Sequence, residues 1–461
     1  MLQIKTDPDS ALSLSEQIYR SICQEIEAGN LAPGERLPSR RELADDLHVS
    51  TTTVETVYDH LIEEGVCESR PRSGLYVAAE PILPATQAKD TPEVRWDFSI
   101  GAMDAAQFPY SVWAKLMRLV LSEQSDELLM TGDPQGNARL RGEIARVLYR
   151  LRGIETNPDQ IVLAAGTDML VAILITLIGR ERLFAVEDPG YARARRILIA
   201  GGARIVPVPL RQGAIDVREL YQTGAGAVYV TPGRQFPTGQ EMPEDRRTSL
   251  MRWARETGAY ILEDDYEGEF SLTPDALPPL ASRPDAGRVI YLNTFARTLA
   301  PGLRISYMIL PESLRERYRE LYSACSVPGF EQATLQKFME GGYYERHIRR
   351  MRTLYKERRG YLADEVERLG LGRPQTSSAG LFELLEVESP LSSGRLMELA
   401  ARAGVRLSAL SDYSILPGKE ESSGTFLLGL AGMDKDRIRE GLEALQKAWF
   451  PRTGEKNGGR E

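Results

Sequence analysis

Leu14, Ile18, Ile22 and Ile26 recur every four residues and draw one apolar stripe along a helix. Gly29 and then Pro33-Gly34 end it. Ser39 and Glu42 form a capping box: the Ser oxygen accepts a free first-turn amide and the Glu reaches back. The short helix they open buries Leu43, Ala44 and Leu47. A tight turn at His48-Val49 leads to Ser50, a good N-cap, and Val54, Val57, Leu61 and Ile62 stripe a third helix that ends at Gly65. Arg70-Pro71-Arg72-Ser73-Gly74 then sits at the tip of a hairpin closed by Leu75-Tyr76-Val77. Two short helices about a tight turn, followed by a β-wing, make a winged helix-turn-helix. In that plan the second helix of the pair enters the major groove of double-stranded DNA.

The pattern changes after a proline-rich stretch without periodicity, which reads as a linker over 80–95. Apolar runs at 161–166, 183–188, 204–210, 227–232, 260–265, 289–294 and 305–310 alternate with helical or loop stretches. That spacing predicts a mostly parallel sheet covered on both faces, with ligands bound beyond the carboxyl ends of its strands. Gly166-Thr167-Asp168, Glu187 to Tyr191, Thr231 to Gln235, Glu263 to Tyr266 and Asn293 to Arg297 stand at five such ends, so one pocket lined by all five is expected. Beyond about residue 330 the chain predicts a long helix and then a smaller α+β part with strands in GLFELLEV and TFLLGLA. The domains are therefore 1–79, a linker at 80–95, a large domain at 96–450 and a tail at 451–461.

Composition narrows the chemistry. The 461 residues carry a net charge of −9 and three widely spaced cysteines, which argues against a disulfide framework or a zinc site. The start has no secretory pattern, and the most apolar stretch, Leu170 to Ile178, is too short to span a bilayer. A soluble, cytoplasmic protein without a membrane partner is expected. Residues 1–79 hold seven basic against fourteen acidic side chains, so DNA binding there must rest on a local basic cluster. No GxSxG, HExxH or P-loop occurs, no metal ligand set is visible, and His48, His60 and His347 have no partner set by spacing. The basic run at 343–359 reads as a helix with a solvated face. Lysine is scarce: none lies between Lys115 and Lys337, so that whole stretch lacks an amine nucleophile.

The ordered motifs now carry a resemblance. Residues 14–77 resemble a GntR-type winged helix. DPQG at 133–136, EDPGY at 187–191, VYVTP…QFPTG at 228–239, EDDYEGEF at 263–270 and TLAPGLRISY at 298–307 resemble the aminotransferase-like domain of MocR-type regulators. The implied fold is an N-terminal winged helix-turn-helix plus an α/β aminotransferase class I-like (fold type I) large domain with a smaller α+β C-terminal domain. The family joins an operator-binding module to a pyridoxal-phosphate (PLP) domain and usually forms head-to-tail homodimers. Carried over by motif, Arg40 and Arg41 on the first helix of the pair contact DNA. So do Ser50, Thr51, Thr52 and Thr53 leading the recognition helix, and Arg70, Arg72, Ser73 and Gly74 in the wing. Thr51 stands where relatives usually carry Arg. Asp264 matches the partner of the pyridine nitrogen, Tyr266 the contact of the ring hydroxyl, Tyr191 the stacking ring, and Thr294 and Arg304 the phosphate ligands. Arg193 matches a carboxylate-binding arginine.

The departures matter more. Residue 297 is Arg where the resemblance expects the lysine that forms the imine with PLP, and a guanidinium that stays protonated offers no lone pair to an aldehyde. Thr131, Ala165, Asp168, Arg234 and Gly432 also depart from the pattern, and a carboxylate at 168 would repel a phosphate. The resemblance thus implies a regulator without a catalytic residue. Its pocket takes a small anionic effector, such as an amino acid or another anionic metabolite, or PLP held non-covalently. Arg193, Arg234, Arg297 and Arg304 are expected to converge there and to meet an anionic ligand, water, or internal partners among Asp168, Glu263, Asp264 and Asp265. Two alternatives stay open: an active PLP-dependent aminotransferase, and a constitutive DNA-binding dimer whose large domain is only a scaffold.

Overall fold

The computed structural model describes residues 13–27, 30–70, 73–78, 93–123, 126–270, 276–375, 380–416 and 423–450. The linker expected at 80–95, apart from its last three residues, the tail at 451–461 and Arg72 lie outside them. The chain divides into two compact units, Met1–Thr91 and Pro92–Glu461.

The first unit contains α1 (Leu14–Glu27), α2 (Arg40–Leu47), α3 (Thr51–Glu63) and an antiparallel hairpin of β1 (Cys67–Arg70) and β2 (Gly74–Val77). The capping box forms as its residues dictate: Ser39 accepts from the Glu42 amide and Glu42 from the Ser39 amide. His48 ends α2 in the left-handed region (φ 54°) and turns the chain into α3. Ile18, Ile22, Leu43, Val54, Val57 and Leu61 meet in one core. Leu14 is exposed, so the α1 stripe is buried from Ile18 onward.

The second unit opens with β3 (Trp96–Asp97), α4 (Tyr110–Ser122) and α5 (Ala138–Arg152). Strands and helices then alternate through β4 (Ile161–Ala164), α6 (Thr167–Ile178), β5 (Leu183–Asp188), α7 (Ala192–Ala200), β6 (Arg204–Arg211), β7 (Ala214–Ile215), α8 (Val217–Thr223) and β8 (Ala227–Val230). They continue with α9 (Glu244–Thr257), β9 (Tyr260–Asp264), β10 (Val289–Thr294), α10 (Phe295–Thr298) and β11 (Ser306–Ile309). Helices α11 (Glu312–Leu321), α12 (Gly329–Glu340) and α13 (Tyr343–Leu369) lead to β12 (Arg373–Gln375), β13 (Phe382–Glu388), α14 (Ser393–Arg402), β14 (Val405–Arg406), β15 (Ser408–Ala409), β16 (Ser423–Gly429) and α15 (Lys435–Trp449).

The large sheet runs β4-β11-β10-β9-β8-β5-β6-β7. It is parallel from β10 through β6, with β11 antiparallel to both neighbours and β7 antiparallel to β6. Its central strands are buried on both faces, which is why they read as unbroken apolar runs. All seven expected strands form. The expected long helix is two, α12 and α13, because Gly341-Gly342 interrupts it with Gly342 at φ +66°. Among the described helices none is long and apolar enough to cross a membrane.

Arg358 on α13 ties the start of this unit to its smaller part. Its guanidinium is buried, donates to Asp104 at 2.6 Å and to the Leu430 and Ala431 carbonyls. Among the described residues, losing it removes the one cation paired with Asp104, which then keeps only the Ala106 amide and Gln107 as donors. Arg358→Met is therefore expected to cost about 2–4 kcal/mol, read by urea denaturation of the full chain.

Candidate functional site

On the winged helix, α3 is held by its cap. The Ser50 hydroxyl accepts from the Thr53 amide and shares hydrogen bonds with the Thr52 and Thr53 hydroxyls. Ser50 is thus committed to the helix start, while Thr51 and Thr52 are exposed beside it. Arg40 is held by Glu55 and Asp59 of α3, at 3.1 and 3.2 Å. Arg70 in the wing donates to Glu68 and lies over the Tyr76 ring at 4.4 Å. Ser73 is hydrogen-bonded to the Tyr76 hydroxyl, and Gly74 takes φ +122° at the turn. Arg41 is exposed at the first turn of α2. Two of the expected DNA-contacting arginines therefore already carry an acidic partner within the unit.

In the second unit the polar residues gather at the carboxyl ends of the parallel strands, as the topology requires. Asp264 closes β9, and Tyr229 of β8 donates its hydroxyl to it. Register explains the pair. Tyr229 lies opposite Leu262, and Asp264, two residues on, shares that face. In the sequence Tyr229 falls within the apolar run at 227–232 and has no role assigned to it. Burial pushes the Asp264 carboxyl up to about 7, with Asp265 adding to the rise while Tyr229 and Arg297 oppose it.

Tyr266 is buried, and its hydroxyl has no hydrogen-bond partner among the described residues. Phe236 stands at the centre of an aromatic cluster with Tyr191, Tyr266, Phe382 and Tyr413, its ring 4.9–6.0 Å from each. Asp188 at the end of β5 accepts from the Ile415 and Leu416 amides, bringing the loop before β16 against the cleft.

The four arginines stand around the cleft, Arg193 and Arg297 beside Tyr191 and Arg234 and Arg297 beside Tyr266, and each is engaged within the chain. Arg193 and Arg304 both reach Asp168 on α6. Arg297 donates to the Ile100 carbonyl, 197 residues away in sequence. Arg234 is buried, donates to the Phe382 carbonyl at 2.8 Å, stacks on the Phe382 ring at 4.4 Å and lies 3.4 Å from Glu267. Gly380 makes room for it, since a Cβ there would lie 2.2 Å from the guanidinium carbon. Each buried or half-buried guanidinium finds an anion or carbonyl within the chain, as the cost of leaving it unpaired requires. Thr294 is likewise committed, accepting from the Ser306 hydroxyl and the Ala296 amide. Asp168 stands at the site as the sequence places it, and Tyr229 and the Ile100 carbonyl join as residues that spacing does not reveal.

Lys337 pairs with Glu123 and Lys435 with Glu357, away from these strand ends. Among the described residues no group of His, Cys, Asp and Glu is arranged to hold a metal ion.

Comparison with known proteins places both units. Residues 14–77 match the family of bacterial regulatory proteins of the gntR type, and residues 96–445 match aminotransferase class I and II. The chain is 37% identical over 454 residues to an uncharacterised helix-turn-helix transcriptional regulator, YdeL, of Bacillus subtilis, covering 95% of this chain and 97% of that one. It is 31% identical to the probable rhizopine catabolism regulatory protein MocR of Rhizobium meliloti, covering 96% and 95%. The crystal structure of a kynurenine aminotransferase from Pyrococcus horikoshii shares the fold, with a TM-score of 0.67 at 23% identity over 77% of this chain and 91% of that one.

The raised Asp264 carboxyl has a measurable consequence. Its ordinary value is about 3.9, so the folded chain holds a proton there that the unfolded chain has released, and stability falls as pH rises from about 4 through about 7. Glu187, Glu263 and Glu269, each pushed up to about 7 by burial, act in the same direction. Asp264→Asn is expected to flatten the fall in melting temperature between about pH 5 and about pH 8 by roughly 2 °C, read by calorimetry.

Proposed function

We propose, since the chain belongs to the family that joins a GntR-type winged helix to an aminotransferase class I and II domain, that it is a DNA-binding transcriptional regulator acting in the cytoplasm. Its second unit senses a small anionic effector without catalysis. The observation that carries this reading is residue 297. An arginine stands at the end of β10, in a stretch from 116 to 336 without any lysine. A guanidinium binds anions well and attacks aldehydes not at all.

The residues fit PLP only in part. The unpartnered Tyr266 hydroxyl, the buried Asp264 carboxyl and the Tyr191 ring suit a hydroxypyridine. Residues 116–336 supply no amine to tether it, and Arg193, Arg304 and Thr294 are engaged within the chain. The cofactor is therefore neither an imine nor a participant in any step here.

Arg297 supplies the coupling. A ligand carboxylate outcompetes a neutral carbonyl for a guanidinium, so an effector draws Arg297 from Ile100. That releases the segment after β3, which follows the linker in sequence. Differential affinity for the bound and released arrangements is what moves the DNA-binding equilibrium. DNA is held by Arg41, Thr51, Thr52 and Thr53, with Arg70, Arg72, Ser73 and Gly74 in the wing. Arg40 joins only by leaving Glu55 and Asp59, and Ser50 positions α3 through its cap. Tyr110, Leu129, Met130 and Tyr149 are large apolar side chains exposed by more than 60%, which supports burial in a head-to-tail homodimer.

One observation favours a second reading. Every arginine of the cleft already has an internal partner, as a scaffold that needs no effector would also show. The two readings part on one assay. Duplexes selected by the protein from a random pool are titrated by fluorescence anisotropy with and without amino acids and organic acids. A regulator loses or gains operator affinity with at least one of them, whereas a scaffold responds to none. Arg41→Ala is expected to weaken the complex roughly tenfold and to lower its salt dependence by about one ion.

A further inference from the structure

Asp168 is the second residue of α6, where first-turn amides and the helix dipole favour negative charge. Arg193 donates to its carboxylate, and Arg304 approaches the same oxygen at 3.4 Å. We infer that Asp168 determines specificity: its carboxylate fills, from within the chain, the anion position between α6 and the two guanidinium groups, so the cleft rejects phosphorylated ligands and takes unphosphorylated carboxylates. This rests on the reading of the cleft as an effector site.

Three observations carry it. Three donors that would face an external phosphate, the Ala165 amide, Arg193 and Arg304, are already engaged. The Ala165 amide donates to the Ser326 hydroxyl at 3.0 Å, Arg304 approaches the Ala165 carbonyl as well as Asp168, and Arg193 is taken by Asp168. The backbone is shaped to aim Arg304 there. Arg304 itself is left-handed at φ 50°, and Gly166, at φ +91°, lets it pass, because a Cβ would lie 2.3 Å from its Nη2. Arg304 takes this conformation as the cap that ends the short turn at Pro301–Leu303. Finally, the arrangement does little for the fold. The side chains of Asp168, Arg193 and Arg304 are 33%, 51% and 46% exposed, and ion pairs so open to water add little stability. Substituting Asp168 should therefore leave the structure intact. What remains for a ligand is the Arg297 guanidinium and the unpartnered Tyr266 hydroxyl, which suit a carboxylate and a neutral polar group.

The test uses the full chain, with inorganic phosphate and PLP as probes in calorimetric titrations of wild type, Asp168→Asn and Asp168→Ser. Removing a like charge beside the incoming dianion is expected to tighten both probes at least tenfold. Adding Arg304→Gln to Asp168→Ser is expected to abolish the gain. The inference is overturned if wild type binds either probe as tightly as the variants, or if both folded variants gain nothing. It is also overturned if the gain survives loss of Arg304. Operator binding is not part of this readout. Failure of every carboxylate to change operator affinity would strike the effector reading, whereas equal phosphate binding strikes the role of Asp168.

Discussion

Charge withdrawn from water must be met by opposite charge or a hydrogen-bonding dipole, and this unit concentrates charge where its parallel strands end. The order of the sheet brings the ends of β5, β8, β9 and β10 together, and the residues there are acids, tyrosines and threonines. Each arginine nearby is answered from within: Arg193 and Arg304 by Asp168, Arg297 by the Ile100 carbonyl, Arg234 by Glu267 and the Phe382 carbonyl. The Tyr266 hydroxyl is a buried exception. A cleft built this way is stable as it stands and still offers groups that a ligand can claim by exchange. A sensor needs that property, because an effector moves an equilibrium only through a difference between two satisfied states.

The same economy marks the DNA-binding unit. Its acidic residues outnumber its basic ones, and two of its outward arginines rest on glutamate or aspartate. Attraction to phosphates must overcome these pairs before either arginine can reach a duplex.

Much of this was legible before any coordinates. The central strands β8, β9 and β10 of the large sheet are buried on both faces and appear as continuous apolar runs, and the capping box, the turn at His48-Val49 and the wing follow from local chemistry. Strands of two or three residues, such as β3, β7 and β14, were not legible, because their pairing is imposed by neighbours far along the chain. The break between α12 and α13 was hidden because apolar spacing continues across it. In the cleft, residue types were readable but partners were not. The link from Arg297 to Ile100 and the shared carboxylate of Asp168 join segments that no spacing rule connects. Tyr229 sits in an apolar run that gives no sign of its role as the donor to Asp264.

The central claim is that the cleft descends from a cofactor site whose tether has become an arginine. The most direct measurement is the visible absorption spectrum of the full chain with saturating PLP, before and after dialysis, for wild type, Arg297→Lys and Arg297→Lys combined with Asp168→Asn. The account predicts no imine band for wild type and complete loss of cofactor on dialysis, with a band gained only by the lysine variant when Asp168 is also replaced. A yellow wild type that keeps its cofactor through dialysis and transfers amino groups between keto acids would contradict it.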